Sequence, residues 1–122
     1  MTNRILLVDD EVDFTELAAT LLGFHGFDVE ALHDPRLVAE KIKNNSYDLI
    51  VTDLMMPQMN GFELIQSLRT QGQYEKVPIV VLSAKTLSEE EKNFLTQNDV
   101  QYFMKPFDPK GLVEHIRKKL DV

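Results

Sequence analysis

Three short aliphatic runs constrain this chain more than any other feature: Ile5-Leu6-Leu7-Val8, Leu49-Ile50-Val51 and Ile79-Val80-Val81-Leu82. Unbroken aliphatic runs of that length suit strands covered on both faces, as in a parallel sheet. Between them the apolar residues change to helical spacing. Phe14, Leu17, Ala18, Leu21 and Leu22 mark one helix, with Gly26 as its stop. Asp34-Pro35 reads as N-cap and first helical residue of a second, running through Leu37, Val38 and Ile42. Phe62, Ile65 and Leu68 mark a third. Ser88 with Glu91 is a capping box for a fourth, and Glu89-Glu90-Glu91 suits the positive end of its dipole. Asp108-Pro109 opens a fifth through Leu112, Val113 and Ile116, ending in Arg117-Lys118-Lys119. Two more polar stretches, Phe27–Leu32 and Val100–Met104, read as edge strands. In the first, Val29 and Ala31 should share one face and Asp28 and Glu30 the other. The alternation predicts an α/β fold: a single doubly wound (βα)5 domain with helices on both faces. Its parallel sheet should run in the order 2-1-3-4-5, the aliphatic strands central.

Length supports one domain over residues 1–122, since 122 residues do not hold two autonomous cores. Cysteine is absent, which excludes a disulfide framework, a thiolate metal site and a cysteine nucleophile. The longest aliphatic run is far too short for a bilayer span or a signal-peptide core, so a soluble, cytoplasmic protein with no membrane contact is expected. The net charge of -7 argues against direct binding of nucleic-acid phosphates.

Ligands of open parallel sheets bind beyond the carboxyl ends of the strands, where strand order reverses. Asp9, Asp10 and Glu11 follow the first strand, Asp53 the third, Ser83 the fourth and Lys105 the fifth. Each alone is an ordinary turn or capping residue. Their convergence on one rim is the signal. Three carboxylates against one ammonium leave an excess negative charge, to be relieved by proton uptake or a cation. A donor set of oxygens alone favours a hard ion such as Mg²⁺. His25, His33 and His115 lie in or beside helix and strand patterns, without ligand spacing. Carboxylate-held Mg²⁺ usually serves phosphate chemistry, and an Asp in such a site can become an aspartyl phosphate. Asp53, alone on a central strand, is the best acceptor; Lys105 supplies a fixed cation and the Ser83 hydroxyl a hydrogen bond.

These residues also form motifs. Leu6-Leu7-Val8-Asp9-Asp10-Glu11, Asp53-Leu54-Met55-Met56-Pro57-Gln58-Met59-Asn60-Gly61, Ser83-Ala84, and Tyr102 with Lys105-Pro106-Phe107 fall in order over nearly the whole chain. Together they resemble the receiver domain of two-component response regulators, of the chemotaxis-regulator type, with its flavodoxin-like fold. The resemblance implies that Asp53 accepts phosphate from a sensor histidine kinase or a histidine phosphotransfer protein. Asp10, Asp53 and the Met55 backbone carbonyl would ligate Mg²⁺, or Mn²⁺ as a substitute, with Asp9 acting through a water. Lys105 would bind the phosphoryl oxygens; Ser83 and Tyr102 would switch inward; Lys105-Pro106 would be a cis peptide. The switching surface would span the fourth helix, fifth strand and fifth helix. Such a module is not an enzyme beyond its own phosphorylation and self-dephosphorylation. Its output would pass through a downstream protein partner or a missing output domain, as a monomer or a phosphorylation-dependent dimer.

Two departures stand out. Asn98-Asp99 replaces the Gly-Ala that often precedes the fifth strand; Asn98 is expected to take the left-handed turn, and Asp99 adds charge near the signalling surface. Met55 and Lys85 flank the path of an attacking water and offer it no carboxylate or amide, so self-dephosphorylation should be slow. Other readings fit less well. An Asp-nucleophile phosphatase or phosphotransferase would carry a second Asp at position 55 and a cap segment. A flavin-nucleotide module would have a Ser-, Thr- and Gly-rich first loop in place of Asp9-Asp10-Glu11. A phosphorylation-independent interaction module would lack Asp53, Lys105 or an acidic partner.

Overall fold

A computed structural model describes residues 3–122. Five strands, β1 (Arg4–Val8), β2 (Asp28–Leu32), β3 (Leu49–Thr52), β4 (Ile79–Ser83) and β5 (Val100–Met104), alternate with five helices. The helices are α1 (Val12–Phe24), α2 (Val38–Asn44), α3 (Gly61–Arg69), α4 (Glu89–Gln97) and α5 (Pro109–Leu120). The strands form one parallel sheet in the order β2-β1-β3-β4-β5.

Successive residues of a strand point to opposite faces, so each central run feeds two cores. Leu6, Val8, Ile50, Ile79 and Val81 face α2, α3 and α4, meeting Val38, Ile42, Leu64, Ile65, Leu68 and Leu95. Ile5, Leu7, Val51, Val80 and Leu82 face α1 and α5, meeting Ala18, Leu22, Leu112, Val113 and Ile116. Full burial of a residue such as Leu6 or Ile50 contributes roughly 1.5–3 kcal/mol. At edge strand β2, Val29 is half-buried and Ala31 exposed. Glu30 points into a polar cluster instead of solvent, accepting from Arg4, Lys41 and the Tyr47 hydroxyl. Lys41 and Tyr47 hold the Glu30 carboxyl below its usual range.

Local signals place most helix starts. Ser88 and Glu91 form the reciprocal capping box of α4. Asp108 accepts from the Lys110 and Gly111 amides at α5, with Pro109 in the first turn. Two details differ from the sequence reading. Asp34 and Pro35 open a short 3-10 turn, Pro35–Leu37, before α2 begins at Val38. The left-handed residue after α4 is Asp99 (φ 55°), not Asn98. Asn98 stays at φ -97° because its backbone and side-chain N–H groups both bond the Phe94 carbonyl, closing the helix and passing the reversal to the next residue. Gly26 takes the reversal after α1 at φ 94°. Among the described residues, no helix is long and apolar enough to cross a membrane.

Candidate functional site

The site is built where β1 and β3 end side by side. Asp9 extends β1 by donating its amide to the Leu32 carbonyl, and Asp53 extends β3 by donating to Val8. Both side chains are therefore carried by the rigid sheet, and both residues are nearly inaccessible, at 1% and 3% exposure. Asp53 Oδ1 accepts from the Leu54 amide at 2.6 Å and the Met55 amide at 3.2 Å. That fixes the carboxylate and leaves Oδ2 turned toward Lys105. Asp9 is held likewise, its Oδ1 accepting from the Glu11 amide at 3.0 Å. The loop after β3 is clamped where Gly61 donates to the Leu54 carbonyl. A Cβ at position 61 would lie 2.3 Å from the Asp53 carbonyl oxygen, so only glycine permits this approach.

Asp9, Asp10 and Asp53 each offer an oxygen, all lying within 4.8 Å of one another. At such separations a like pair repels by about 3 kcal/mol at an effective dielectric near 20. Lys105 enters from the end of β5, after a backbone bond from its amide to the Ser83 carbonyl. The Lys105–Pro106 peptide is cis. The ammonium donates to Asp9 Oδ2 at 2.8 Å, Glu11 Oε1 at 3.1 Å and Asp53 Oδ2 at 3.2 Å. Burial pulls the Lys105 ammonium down, but the bonds to Asp9 and Glu11 outweigh it and place it at about 12. For Asp9 the balance is opposite: burial raises its carboxyl above the usual range despite the bond from Lys105. One ammonium does not satisfy the cluster. An oxygen-only set with surplus charge fits a hard divalent cation.

Ser83 is fully buried at the end of β4, its Oγ accepting from the Lys85 amide at 3.2 Å. The Tyr102 hydroxyl donates to the Ser83 carbonyl at 3.2 Å and to the Lys85 carbonyl. Burial raises the Tyr102 phenol, and the Asp53 charge adds to it. Met55 is half exposed at the mouth, while Lys85 is paired with Glu91 at 3.3 Å. Asp9, Asp10, Asp53, Ser83, Tyr102 and Lys105 thus share one rim. Two contacts of Lys105 are not predicted from the sequence: Glu11, read there only as a rim residue, is its third partner, and Phe14, read only as a helix position, has its ring centroid 4.0 Å from the Lys105 Nζ. Their signal was position alone, within a turn of the acidic pair.

The family description "Response regulator receiver domain" matches residues 5–117. The DNA-binding response regulator MtrA of Mycobacterium tuberculosis (strain H37Rv) is 37% identical over 120 residues, 98% of this chain and 51% of the relative. A transcriptional regulatory protein CpxR homolog of Haemophilus influenzae is 34% identical over 115 residues, covering 94% of this chain and 49% of its own. The chain spans about half the length of these relatives. Among solved structures, chemotaxis protein CheY4 of Vibrio cholerae superposes with a TM-score of 0.87 at 30% identity, covering 97% of this chain and 98% of its own. A CheY-like receiver domain protein of Methanospirillum hungatei gives 0.88 at 29% identity, over 99% and 95%.

Proposed function

Because this chain belongs to the response regulator receiver domain family of two-component systems, we propose that Asp53 receives a phosphoryl group from a phosphohistidine on a partner protein. The partner is a sensor histidine kinase or a histidine phosphotransfer protein. The observation that carries this reading is the trio Asp9, Asp10 and Asp53, with oxygens within 4.8 Å of one another and Lys105 bridging two of them. An Asp53 carboxylate oxygen bonds to phosphorus as the phosphorus–nitrogen bond to the donor imidazole breaks. The imidazole leaves with the electron pair and takes a proton from solvent. The two amides on Oδ1 keep the carboxylate from turning. Lys105, already 3.2 Å from Oδ2, takes a phosphoryl oxygen. The Ser83 hydroxyl leaves the Lys85 amide to donate a second bond.

Asp10, Asp53 and the Met55 backbone carbonyl would hold Mg²⁺, or Mn²⁺ in its place, with Asp9 supporting the site from beside them. When bound, the ion offsets the carboxylate charge and that of the incoming phosphoryl oxygens. The chain modifies itself and turns over no other substrate. The donor protein docks beside the rim. Phe14, Leu17, Leu21, Pro106 and Phe107 line an apolar groove of about 470 Å³ that Lys105 shares with the site. Leu17 and Phe24 on the same side of α1 are 68% and 86% exposed, a stripe suited to an apolar helix face. Output follows from movement of Ser83 and Tyr102, passed to α4, β5 and α5 and read by a partner protein or an output segment. Incubation with acetyl phosphate, with Mg²⁺ or with EDTA, tests this by intact mass. One phosphoryl adduct that needs the metal is expected; an adduct of equal size in EDTA contradicts the reading.

A further inference from the structure

Phe14 lies on α1, one helical turn past Asp10, and its ring lies against the ammonium of Lys105. The ring is fixed from a second side by Phe107, edge-on at 5.9 Å and 82°. The Lys105 side chain is only 12% exposed. Its ammonium has exchanged most of its water for Asp9, Asp53, Glu11 and an aromatic face. These supports respond differently to a divalent cation. Charge drawn in by Asp9 and Asp53 weakens their hold on Lys105 and repels the ammonium. Glu11, with a side chain 64% exposed, draws it outward. An aromatic face does not titrate and does not ligate a hard cation, and its attraction for an ammonium is strongest where water is excluded.

We propose that Phe14 is a positioning residue for Lys105: its ring keeps the ammonium at the rim when a divalent cation and a phosphoryl group occupy the carboxylate side. An aliphatic residue would fill the same volume without holding the charge. The inference rests on the phosphoacceptor reading, and the experiment separates the two. Phe14 is replaced by Leu, by Tyr, and by phenylalanines carrying one, two or three ring fluorines, which drain the ring face of negative charge while keeping its shape. The Lys105 ε-methylene is followed by NMR with and without Mg²⁺, and Mg²⁺-dependent beryllofluoride binding is titrated. The ε-methylene should be shifted upfield by the ring in both conditions, lose that shift in Phe14→Leu and keep it in Phe14→Tyr. Beryllofluoride affinity should fall step by step with fluorine number, by about three- to tenfold at the trifluoro ring. A flat fluorine series, or a Lys105 signal unmoved by Phe14→Leu, overturns the inference alone. Failure of the unsubstituted chain to bind beryllofluoride overturns the phosphoacceptor reading and the inference with it.

Discussion

At the scale of single residues, the rim is held in an electrostatically unfavourable arrangement. Asp9 is buried and its carboxyl raised, and Asp10 adds a further carboxylate to the three, Asp9, Glu11 and Asp53, that share the Lys105 ammonium. Removing one charge should therefore stabilise the metal-free protein while weakening the metal site. Asp10→Asn is expected to raise metal-free stability by about 1 kcal/mol in urea melts. The same substitution should lower Mg²⁺ affinity at least tenfold by titration calorimetry. A loss of metal-free stability would show that Asp10 is held by contacts that offset the repulsion. The mouth of the site yields a second prediction. Met55 is 52% exposed and Lys85 is tied to Glu91, so neither orients a water for attack on an aspartyl phosphate. Met55→Asn should shorten the phosphoryl lifetime about three- to tenfold, the scale of one added hydrogen bond. Decay followed by phosphate release checks it, and an unchanged rate argues against water orientation as the missing element. Asp9, Asp10, Asp53, Ser83 and Lys105 were readable because each lies within two residues of the end of a strand-like run. Phe14 read only as a helix position, and the pairing of Glu11 with Lys105 was not legible, because that contact joins parts of the chain 94 residues apart.

At the scale of elements, the loop from β3 into α3 and the seam between β5 and α5 carry testable strain and burial. Gly61→Ala would place a methyl 2.3 Å from the Asp53 carbonyl oxygen. A loss of about 2–3 kcal/mol is expected in chemical denaturation, with slower phosphorylation because the Asp53 backbone must shift. On α5, the ring of His115 packs at 5.6 Å from that of Phe103, and its Nε2 is buried without a hydrogen-bond partner among the described residues. Burial, with Lys119 and Lys118 adding to it, holds this imidazole below its ordinary value of 6.5. The unfolded chain therefore takes up a proton that the folded chain resists. That contribution to stability is whole above pH 6.5 and is lost as pH falls from there toward the folded value. His115→Phe should flatten this acid-side loss between pH 6.5 and 5.5 in urea melts; an unchanged slope would assign it to other groups. Elements were most legible where one interaction dominates. β1, β3 and β4 are buried on both faces and leave no polar alternation to mislead. Asp34-Pro35 marks a first turn but does not distinguish a 3-10 turn from an α-helix. Asn98 and Asp99 both tolerate positive φ, and only the Phe94 carbonyl bonds decide between them.

At the scale of the whole molecule, parallel topology brings the ends of β1, β3, β4 and β5 to one edge, so residues 9, 53, 83 and 105 meet although no local contact links them. The same edge continues onto the exposed apolar stripe of α1. Leu17→Glu should slow phosphoryl transfer from a cognate histidine kinase at least tenfold while leaving labelling by acetyl phosphate unchanged. Equal slowing with both donors would place the effect in the site, and no slowing with the kinase would remove α1 from the docking surface. The architecture was legible because alternating aliphatic runs and helical spacings leave few alternatives; the stripe was not, since Phe14, Leu17 and Leu21 read equally well as core. On the proposed function, Asp53 alone stores the phosphoryl group. Borohydride reduction of the acetyl-phosphate-treated protein, followed by peptide sequencing, locates the acyl phosphate. Homoserine at position 53, absent when the incubation contains EDTA, is the predicted result; reduction at another carboxylate, or at none while the phosphoryl adduct persists, would contradict it.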